Sequence, residues 1–306
     1  MFFATPVWPI QWEAPYDNAI KRIAAIGFKS VELIAWNAQV LVEYYTKENI
    51  LHLKKLLNDC GLKMTNFNNT PRDLCSDNNA LRQACKDSYK RAVEVAHELG
   101  AETLTSVSPY PFSMTNAYGR ILDLPQTQIW TIKEDLNRDF SANYIRFVED
   151  MKELCQWNAD AGLKLLIEPH PYRWVNSAAS MLRLLEHVNA DNLGFNLDPS
   201  HLFASGEFPQ RTIYELRGKV WHAHFSDNDT LTNAHWRPGT GKVDWHAVMK
   251  ALKDTGFNGE ISFELEDVPG AASRDVQSTP EMDEELKKSI KYISEICIEL
   301  GINIEK

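Results

Sequence analysis

The chain has 306 residues, of which 44% are hydrophobic and 24% are charged, and this composition excludes a disordered or collagen-like chain. Its 42 acidic residues exceed its 32 basic residues and give a formal net charge of −10. Such an acidic balance argues against a broad nucleic-acid-binding surface, which needs basic residues to displace counterions.

The N-terminal segment and the cysteines exclude further classes. The first residues, MFFATPVWPIQWE, lack a basic start and a long apolar stretch, so they do not predict a signal peptide. No stretch approaches the roughly 18 apolar residues of a membrane span, and we predict no membrane partner. The five cysteines are irregularly spaced without a CxxC pair, which predicts neither a disulfide framework nor a zinc knuckle. We therefore expect a cytoplasmic protein.

The first half of the chain alternates short β-rich runs with helical periodicity. Strands are predicted at residues 2–7, 30–35, 62–67 and 102–107, and helices at 16–26, 48–59 and 80–99. Gly27, Gly61 and Gly100 follow these helices, as expected of glycines just past a helix end. A long loop rich in proline and aromatic residues is predicted at 109–137.

The second half repeats the same alternation. Strands are predicted at residues 163–168, 193–197, 220–225 and 260–265, and helices at 144–161, 177–187, 212–216, 245–253 and 281–300. Eight strand–helix units in order predict one (β/α)₈ TIM barrel that spans residues 1–306, with extended loops at the carboxyl rim. A doubly wound sheet is the competing fold, but it normally has a glycine-rich phosphate turn after its first strand, which is missing here.

Four predicted strands of the second half bring a possible metal ligand to their ends. Glu168 ends the fifth strand, Asp198 follows the sixth, His224 lies in the seventh and Glu264 in the eighth. The carboxyl ends of barrel strands meet at one rim, where three carboxylates would repel one another. A divalent cation removes this conflict. Three carboxylates and one imidazole suit Mn²⁺, Mg²⁺ or Co²⁺ better than a set of thiolates would. Zn²⁺ is a further candidate ion.

The ordered motifs around these residues resemble the sugar isomerase/epimerase family, which has a xylose-isomerase-like TIM barrel. Its members include ketose 3-epimerases, hydroxypyruvate isomerase and inosose dehydratase. The resemblance covers most of the chain and is strongest over residues 168–267. The matching segments are Ile167-Glu168-Pro169-His170, Asp198-Pro199-Ser200-His201, His222-Ala223-His224, Asp227-Asn228, Pro238-Gly239-Thr240-Gly241 and Phe263-Glu264.

This resemblance implies a function and a role for each ligand. Glu168, Asp198, His224 and Glu264 correspond to the metal ligands, and Mn²⁺ is the expected ion. Glu168 and Glu264 also correspond to an acid–base pair that removes and returns a proton beside a ketose carbonyl through an enediolate. His201 corresponds to a histidine that contacts the substrate. We therefore predict a metal-dependent sugar isomerase or epimerase with a small sugar or keto-sugar as substrate.

Further residues are assigned to the site by their positions. Trp8 and Trp36, at the ends of the first two strands, are predicted pocket walls, because aromatic rings stack on sugar C–H faces. His170 follows the first ligand, and Arg237 lies in a loop that covers the metal in the family. Both are predicted to contact substrate, although an ordinary exposed arginine is an equal interpretation of Arg237. His222 shares a strand face with His224 and is assigned either to a contact with that ligand or to a core hydrogen bond. His235 precedes Arg237 in the same loop and is assigned to a possible contact with a ligand.

Departures from the family keep other functions open. Ketohexose 3-epimerases carry an arginine shortly after the seventh-strand asparagine, where this chain has Asn228-Asp229-Thr230. They also carry an acid six residues past the first ligand, where this chain has Trp174. A metal-dependent lyase of the inosose dehydratase or C-glycoside deglycosidase type uses similar ligands, and a deglycosidase would require a small partner chain. A barrel that binds sugar without turnover is the non-enzymatic alternative, against which the paired glutamates argue.

Endonuclease IV is a structural relative that the sequence does not support. Its trinuclear zinc site needs histidines after the early strands and an Asp-x-His segment after the seventh. Here the early strand ends have Asn66, Asn68 and Asn69, and the later loop has Asn233-Ala234-His235. With the net charge of −10, this predicts no nucleic-acid partner. Dimers and tetramers are frequent among the relatives, so the resemblance is compatible with a homo-oligomer.

Overall fold

Eight parallel strands close into a barrel in the computed structural model, which describes residues 1–112, 115–116, 119–120, 137–267 and 279–305. Neighbours around the barrel follow the order β1-β8-β7-β6-β5-β4-β3-β2, and β1 pairs with β8 to close it. The strands are β1 Phe2–Pro6, β2 Ser30–Ile34, β3 Asn66–Asn68, β4 Thr103–Val107, β5 Lys164–Glu168, β6 Leu193–Leu197, β7 Val220–His224 and β8 Glu260–Ser262. The predicted (β/α)₈ barrel is thereby confirmed.

Helices connect the strands and cover the outside of the barrel. The described helices are α1 Asp17–Ile26, α2 Ala38–Glu43, α3 Lys47–Asp59, α4 Asn79–Leu99, α5 Phe140–Asp160, α6 Ala178–Val188, α7 Pro199–Ala204, α8 Pro209–Glu215, α9 Trp245–Thr255 and α10 Pro280–Leu300. The short helices α2 and α7 are absent from the sequence prediction. Each has only six residues, too few to show helical periodicity.

Two predicted strands differ from the strands of the barrel by more than one residue at an end. The prediction began the third strand at residue 62, but its parallel ladder covers only Asn66–Asn68, and Lys63 makes an isolated bridge to Ser30. The eighth strand ends at Ser262 rather than at residue 265. Apolar residues continue beyond both ladders because they pack in the core, so hydrophobicity alone overestimates the length of each strand.

The loops at the carboxyl rim are only partly described. An antiparallel two-stranded ladder joins Thr115–Asn116 to Gly119–Arg120. Most of the loop predicted at 109–137, and residues 270–278 of the loop predicted before α10, lie outside the described residues. Within the described part of the chain, no helix is both long enough and apolar enough to span a membrane. All five cysteines are free thiols, as the sequence predicted.

The interior of the barrel is polar at its centre, whereas its outer face is packed with aliphatic and aromatic side chains. Glu32 of β2, Asn196 of β6, His222 of β7 and Glu260 of β8 are all at most 3% exposed. Charged groups at such depth are stable only when they are paired or hydrogen-bonded. These residues lie directly beneath the rim where the predicted metal ligands are found.

Candidate metal centre and active site

Glu168, Asp198, His224 and Glu264 converge at the carboxyl end of the barrel. One donor atom from each lies within 4.8 Å of the donor atoms of the other three, and all four residues are buried. Glu168 and His224 are the last residues of β5 and β7. Asp198 follows β6 directly, and Glu264 lies two residues after the end of β8. The structure therefore brings together the four residues that the sequence predicted as metal ligands.

The local backbone sets the direction of Asp198. This residue caps α7, and its Oδ1 accepts the backbone N–H groups of Ser200 at 2.7 Å and His201 at 3.0 Å. A register shift between β6 and β7 at Phe195/Asn196 precedes it. Such irregularities re-aim side chains next to active sites. With Oδ1 held by the helix, Oδ2 is left facing the cluster.

His224 is the centre of the cluster because both of its ring nitrogens meet carboxylates. Nδ1 contacts Glu168 Oε1 and lies 3.0 Å from Glu264 Oε2. Nε2 lies 3.2 Å from both carboxylate oxygens of Glu32, on the inner side of the ring. Asn196 Nδ2 donates to Glu168 Oε1 at 3.0 Å and helps to hold that carboxylate in place. The imidazole thus separates a rim group of carboxylates from a carboxylate inside the barrel.

Burial and mutual repulsion move the pKa values of the rim group toward neutrality. Burial raises the pKa of Glu264 to about 8, against the attraction of His224 and with added repulsion from Glu168. Burial likewise raises the pKa of Glu168 and that of Asp198, although nearby imidazoles oppose it. Burial also disfavours the charged form of His224, but the surrounding carboxylates, Glu32 first among them, outweigh it and raise the pKa of His224 well above its usual value.

The donor atoms of this cluster fit a divalent cation. Asp198 Oδ2 and Glu264 Oε2 are buried and, among the described residues, make no hydrogen bond. Glu264 Oε2 has a close contact with His224 Nδ1 at 3.0 Å but no hydrogen bond. A buried carboxylate oxygen without a hydrogen bond is costly, and a bound cation would supply a favourable interaction. Three carboxylates with one imidazole form an oxygen-rich donor set that suits Mn²⁺, Mg²⁺ or Co²⁺. The residues present are therefore compatible with the predicted metal.

Three further histidines form a group that lies next to Asp198. The rings of His170 and His201 lie 3.5 Å apart between centroids, and those of His201 and His235 lie 4.7 Å apart. Nε2 of His201 and Nε2 of His235 are 3.7 and 3.8 Å from Asp198 Oδ2. Asn233 Oδ1 accepts from His201 Nδ1 at 2.9 Å, which leaves Nε2 of His201 as an acceptor. The sequence-predicted residues His170, His201 and His235 therefore border the same cluster.

These imidazoles are neutral at ordinary pH. Burial lowers the pKa of His201 and that of His235 to about 3, and it holds the pKa of His170 well below its usual value. Repulsion from His201 adds to the lowering of the pKa of His170 and of His235. A neutral imidazole offers one donor and one acceptor, which matches the hydroxyl groups of a sugar.

The two predicted tryptophans lie beside the cluster. Trp8 is 2% exposed, and its Nε1 donates to Glu264 Oε1 at 3.0 Å. Trp36 packs edge-on against Trp8 with ring centroids 5.7 Å apart, and its Nε1 donates to the backbone oxygen of Trp12. Trp8 thus contacts one of the two predicted acid–base groups directly, which the sequence analysis, predicting only a pocket wall, did not foresee.

Arg237 is held away from the cluster. Its Nε donates to Glu285 Oε2 of α10 at 2.9 Å, and its Nη1 donates to the backbone oxygen of Pro238 at 3.3 Å. This ion pair attaches the loop after β7 to α10, on the outside of the barrel. The predicted contact of Arg237 with substrate stays a prediction, and the structure pairs this residue with α10.

The loop after β7 is organised by Asp227, which is fully buried. Its Oδ1 accepts the backbone N–H groups of Asn228 and Val243, and its Oδ2 accepts from Gly239 N–H and Trp245 Nε1. The Pro-Gly-Thr-Gly motif has a steric reason here. A Cβ on Gly241 would lie 2.2 Å from Asp227 Oδ1 and 2.2 Å from the backbone oxygen of Asn228. The motif is thereby required for closing the loop that carries His235.

Glu32 is the residue that sequence reasoning missed. It is 0% exposed, and its Oε2 accepts amide N–H groups from Asn66 at 2.5 Å and Asn68 at 2.8 Å. Burial opposes its ionisation, but the charges of His224 and His222 outweigh burial and hold its pKa below the usual range. The available signal was a single carboxylate inside the otherwise apolar run Ser-Val-Glu-Leu-Ile, since such a residue needs a buried partner.

His222 connects Glu32 to the rest of the barrel interior. Its Nδ1 donates to Asn196 Oδ1 at 2.8 Å, and its Nε2 lies 3.1 Å from Glu260 Oε1 and 3.6 Å from Glu32 Oε1. Its polar contacts are with groups inside the barrel, and its ring meets that of the predicted ligand His224 edge-on, with centroids 5.1 Å apart. Both interpretations of His222 from the sequence therefore stay predictions.

This chain is similar to known proteins in both sequence and fold. Several of its relatives are sugar epimerases or isomerases. D-psicose 3-epimerase of Agrobacterium fabrum is 22% identical over 262 residues, which cover 84% of this chain and 81% of that protein. Fructoselysine 3-epimerase of Shigella flexneri is 22% identical over 258 residues, covering 82% of this chain and 85% of that protein.

A solved structure and a family model extend the comparison to nearly the whole chain. The crystal structure of D-psicose 3-epimerase with D-tagatose from Clostridium cellulolyticum H10 superposes with a TM-score of 0.73 at 19% identity, covering 97% of this chain and 99% of that chain. The family model described as "Xylose isomerase-like TIM barrel" matches residues 20–296. The resemblance seen in the strand-end motifs is confirmed, and this chain belongs to the xylose isomerase-like TIM barrel family.

Proposed function

We propose that this protein is a divalent-metal-dependent sugar isomerase or epimerase that moves a proton beside the carbonyl of a ketose or keto-sugar. The observation that carries the proposal is the buried cluster of Glu168, Asp198, His224 and Glu264, with two carboxylate oxygens that have no hydrogen bond among the described residues. A divalent ion bound there would hold adjacent carbonyl and hydroxyl oxygens of the substrate and stabilise the negative charge that develops on them.

Glu168 and Glu264 are the proposed acid–base pair. They approach His224 from β5 and from the segment after β8, and both are nearly enclosed. Burial raises both pKa values toward neutrality, which is where a carboxyl group can give and take protons efficiently. Trp8 donates to Glu264 Oε1 and leaves Oε2 as the oxygen for proton transfer.

The neutral imidazoles are proposed to hold the sugar. His201 donates through Nδ1 to Asn233, so its Nε2 can accept a hydrogen bond from a substrate hydroxyl. His170 and His235 flank it and extend the polar wall. D-psicose 3-epimerase and fructoselysine 3-epimerase among the relatives support a ketose or a ketosamine as substrate.

Deuterium exchange tests the proposal. The purified protein is stripped with EDTA, reloaded with Mn²⁺ or left metal-free, and incubated in D₂O with D-psicose, D-fructose, D-tagatose and fructoselysine. We expect deuterium to enter the carbon beside the carbonyl of at least one sugar only in the presence of metal. Exchange that is equal without metal would contradict metal dependence. If no sugar exchanges but an inosose or a 3-keto-glycoside loses a group, the protein is a lyase.

Variants test the acid–base pair. Glu168→Gln and Glu264→Gln keep the size of each side chain and remove its ability to ionise, so we expect each to lower exchange by about 10²–10⁴-fold. Glu186→Gln, at an exposed glutamate of α6, is the matched control and should leave exchange unchanged. Full exchange in either active-site variant would refute the two-glutamate mechanism.

A further inference from the structure

We infer that Glu32 is a positioning residue that holds His224 with its proton on Nε2, so that Nδ1 is the atom offered to the metal. The inference deepens the proposed function and rests on the metal centre proposed there. Its basis is the contact of Nε2 with both oxygens of Glu32, on the side of the imidazole opposite Glu168 and Glu264.

Glu32 is held as an acceptor by groups that can only donate to it. The amide nitrogens of Asn66 and Asn68 both donate to Oε2, at 2.5 and 2.8 Å. An oxygen that receives two N–H groups cannot also carry a proton for His224. On the opposite side of the ring, Asn196 Nδ2 is a donor 3.1 Å from Nδ1 of His224, which favours a lone pair on Nδ1. We therefore assign the proton between Glu32 and His224 to Nε2.

The fixed proton decides which ring nitrogen of His224 is available. A neutral imidazole has one N–H and one lone pair, and when Nε2 carries the proton, Nδ1 carries the lone pair. Nδ1 is also the nitrogen that lies among the rim carboxylates, in contact with Glu168 and 3.0 Å from Glu264 Oε2. A carboxylate behind a ligand imidazole fixes its orientation and raises its basicity.

Another group of donor atoms, in Glu32, His222 and His224, must be considered as a cation site on the inner side of the ring. Its atoms are already engaged. Glu32 Oε2 accepts from two amides, and His222 donates through Nδ1 to Asn196 and contacts Glu260 through Nε2. The rim cluster instead contains carboxylate oxygens without hydrogen bonds to the described residues. The interior group is thus a support for His224, and the ion belongs on the rim side.

Glu32→Gln is the variant that separates charge from packing. Asn66 and Asn68 would hold the amide oxygen at the Oε2 position, which lies 3.2 Å from Nε2 of His224. The amide nitrogen would replace Oε1, so the variant removes one acceptor and the negative charge behind the imidazole while it keeps the packing. Glu260→Gln is the matched control, because it makes the same change in the same barrel interior, at a residue that contacts His222 and Thr65. Circular dichroism and thermal unfolding of the metal-free proteins verify that both variants fold.

Metal affinity is the first readout. Titration with Mn²⁺ alone should show affinity about 10- to 100-fold weaker for Glu32→Gln than for the wild type, as for other carboxylates behind ligand histidines. Glu260→Gln should stay within about threefold of the wild type. If Glu32→Gln binds Mn²⁺ as the wild type does, or if both variants lose affinity equally, the inference is wrong.

A spectroscopic readout on the wild-type protein reports directly which nitrogen of His224 binds the metal. With ¹⁵N-labelled histidine and ¹¹³Cd²⁺, NMR should show coupling from cadmium to Nδ1 of His224 and a proton on Nε2, with the signals assigned by their loss in His224→Gln. Coupling to Nε2, or no cadmium coupling at His224, would overturn the inference. Sugar exchange is measured on the same preparations. Coupling to Nδ1 without any sugar exchange would refute the proposed function and leave the role of Glu32 supported.

Discussion

Replacing the proposed acid–base residue Glu264 by glutamine should stabilise the metal-free protein at alkaline pH. Burial raises the pKa of this carboxyl group from its ordinary 4.5 to about 8, with repulsion from Glu168 contributing to the shift. The folded state therefore keeps a proton on Glu264 that the unfolded state releases above about pH 4.5. Stability from this group is fully present below that pH and is lost as the pH rises toward 8.

The magnitude follows from the pKa difference between the two states. Between about pH 5 and about pH 8, each pH unit reduces the free energy of unfolding by about 1.4 kcal/mol, which amounts to about 4 kcal/mol over the interval. Glutamine has the size of a protonated glutamate, and its oxygen can still accept from Trp8 Nε1. Glu264→Gln should therefore be close to the wild type at about pH 5 and about 4 kcal/mol more stable than it at about pH 8.

The assay is urea unfolding of the EDTA-treated wild type, Glu264→Gln and the exposed control Glu186→Gln at both pH values, followed by tryptophan fluorescence. The control should match the pH dependence of the wild type. If Glu264→Gln gains less than about 1 kcal/mol relative to the wild type between the two pH values, burial does not hold a proton on Glu264. That result would also remove one reason for assigning Glu264 as a group that transfers protons near neutral pH.

Three further predictions concern the metal and the loop after β7. Because binding must displace protons from Glu264 and His224, whose pKa values are raised, Mn²⁺ should bind more tightly as the pH rises from about 6 to about 8.5. Calorimetry in two buffers of different ionisation enthalpy should detect the released protons, and pH-independent affinity would contradict this. Asp227→Ala should lower the free energy of unfolding by about 3–5 kcal/mol, because three buried donors and the backbone N–H of Gly239 lose their acceptor. Asp229→Ala, in a partly exposed turn of the same loop, should cost less than about 1 kcal/mol in urea unfolding, and equal losses would refute the assigned role of Asp227. Gly241→Ala should lower the melting temperature, since its Cβ would lie 2.2 Å from Asp227 Oδ1; an unchanged value would show that the loop adapts.

Much of the fold and of the candidate site could be predicted from the sequence. The alternation of short apolar runs with longer periodic segments is a local property, so eight strand–helix units could be counted without a structure. A polar residue at the end of an apolar strand is equally local, and Glu168, Asp198, His224 and Glu264 were recognised in this way. Because the carboxyl ends of parallel strands lie at the same rim, their convergence follows once the barrel is assumed.

Other parts of the site depend on contacts between distant segments. Glu32 lies 192 residues before His224 in the chain, and its strand is buried on both faces, so no alternation of polar and apolar residues shows which side chains point inward. Arg237 lies near the ligands in sequence, yet the docking of α10 places Glu285 beside it instead. Short helices such as α7 depend on a single cap, Asp198, rather than on periodicity.

Residue order along the chain was enough to predict the barrel, its family and the four candidate ligands, because each of these depends on local patterns. Tertiary structure alone decided how the ligands are supported: Glu32 behind His224, Trp8 on Glu264, and the neutral imidazoles beside Asp198. The physical reason is that closing the barrel turns one face of every strand inward, and the resulting burial determines which polar groups must pair. The chemistry of the rim therefore relies on partners that only closure of the barrel brings within hydrogen-bonding distance.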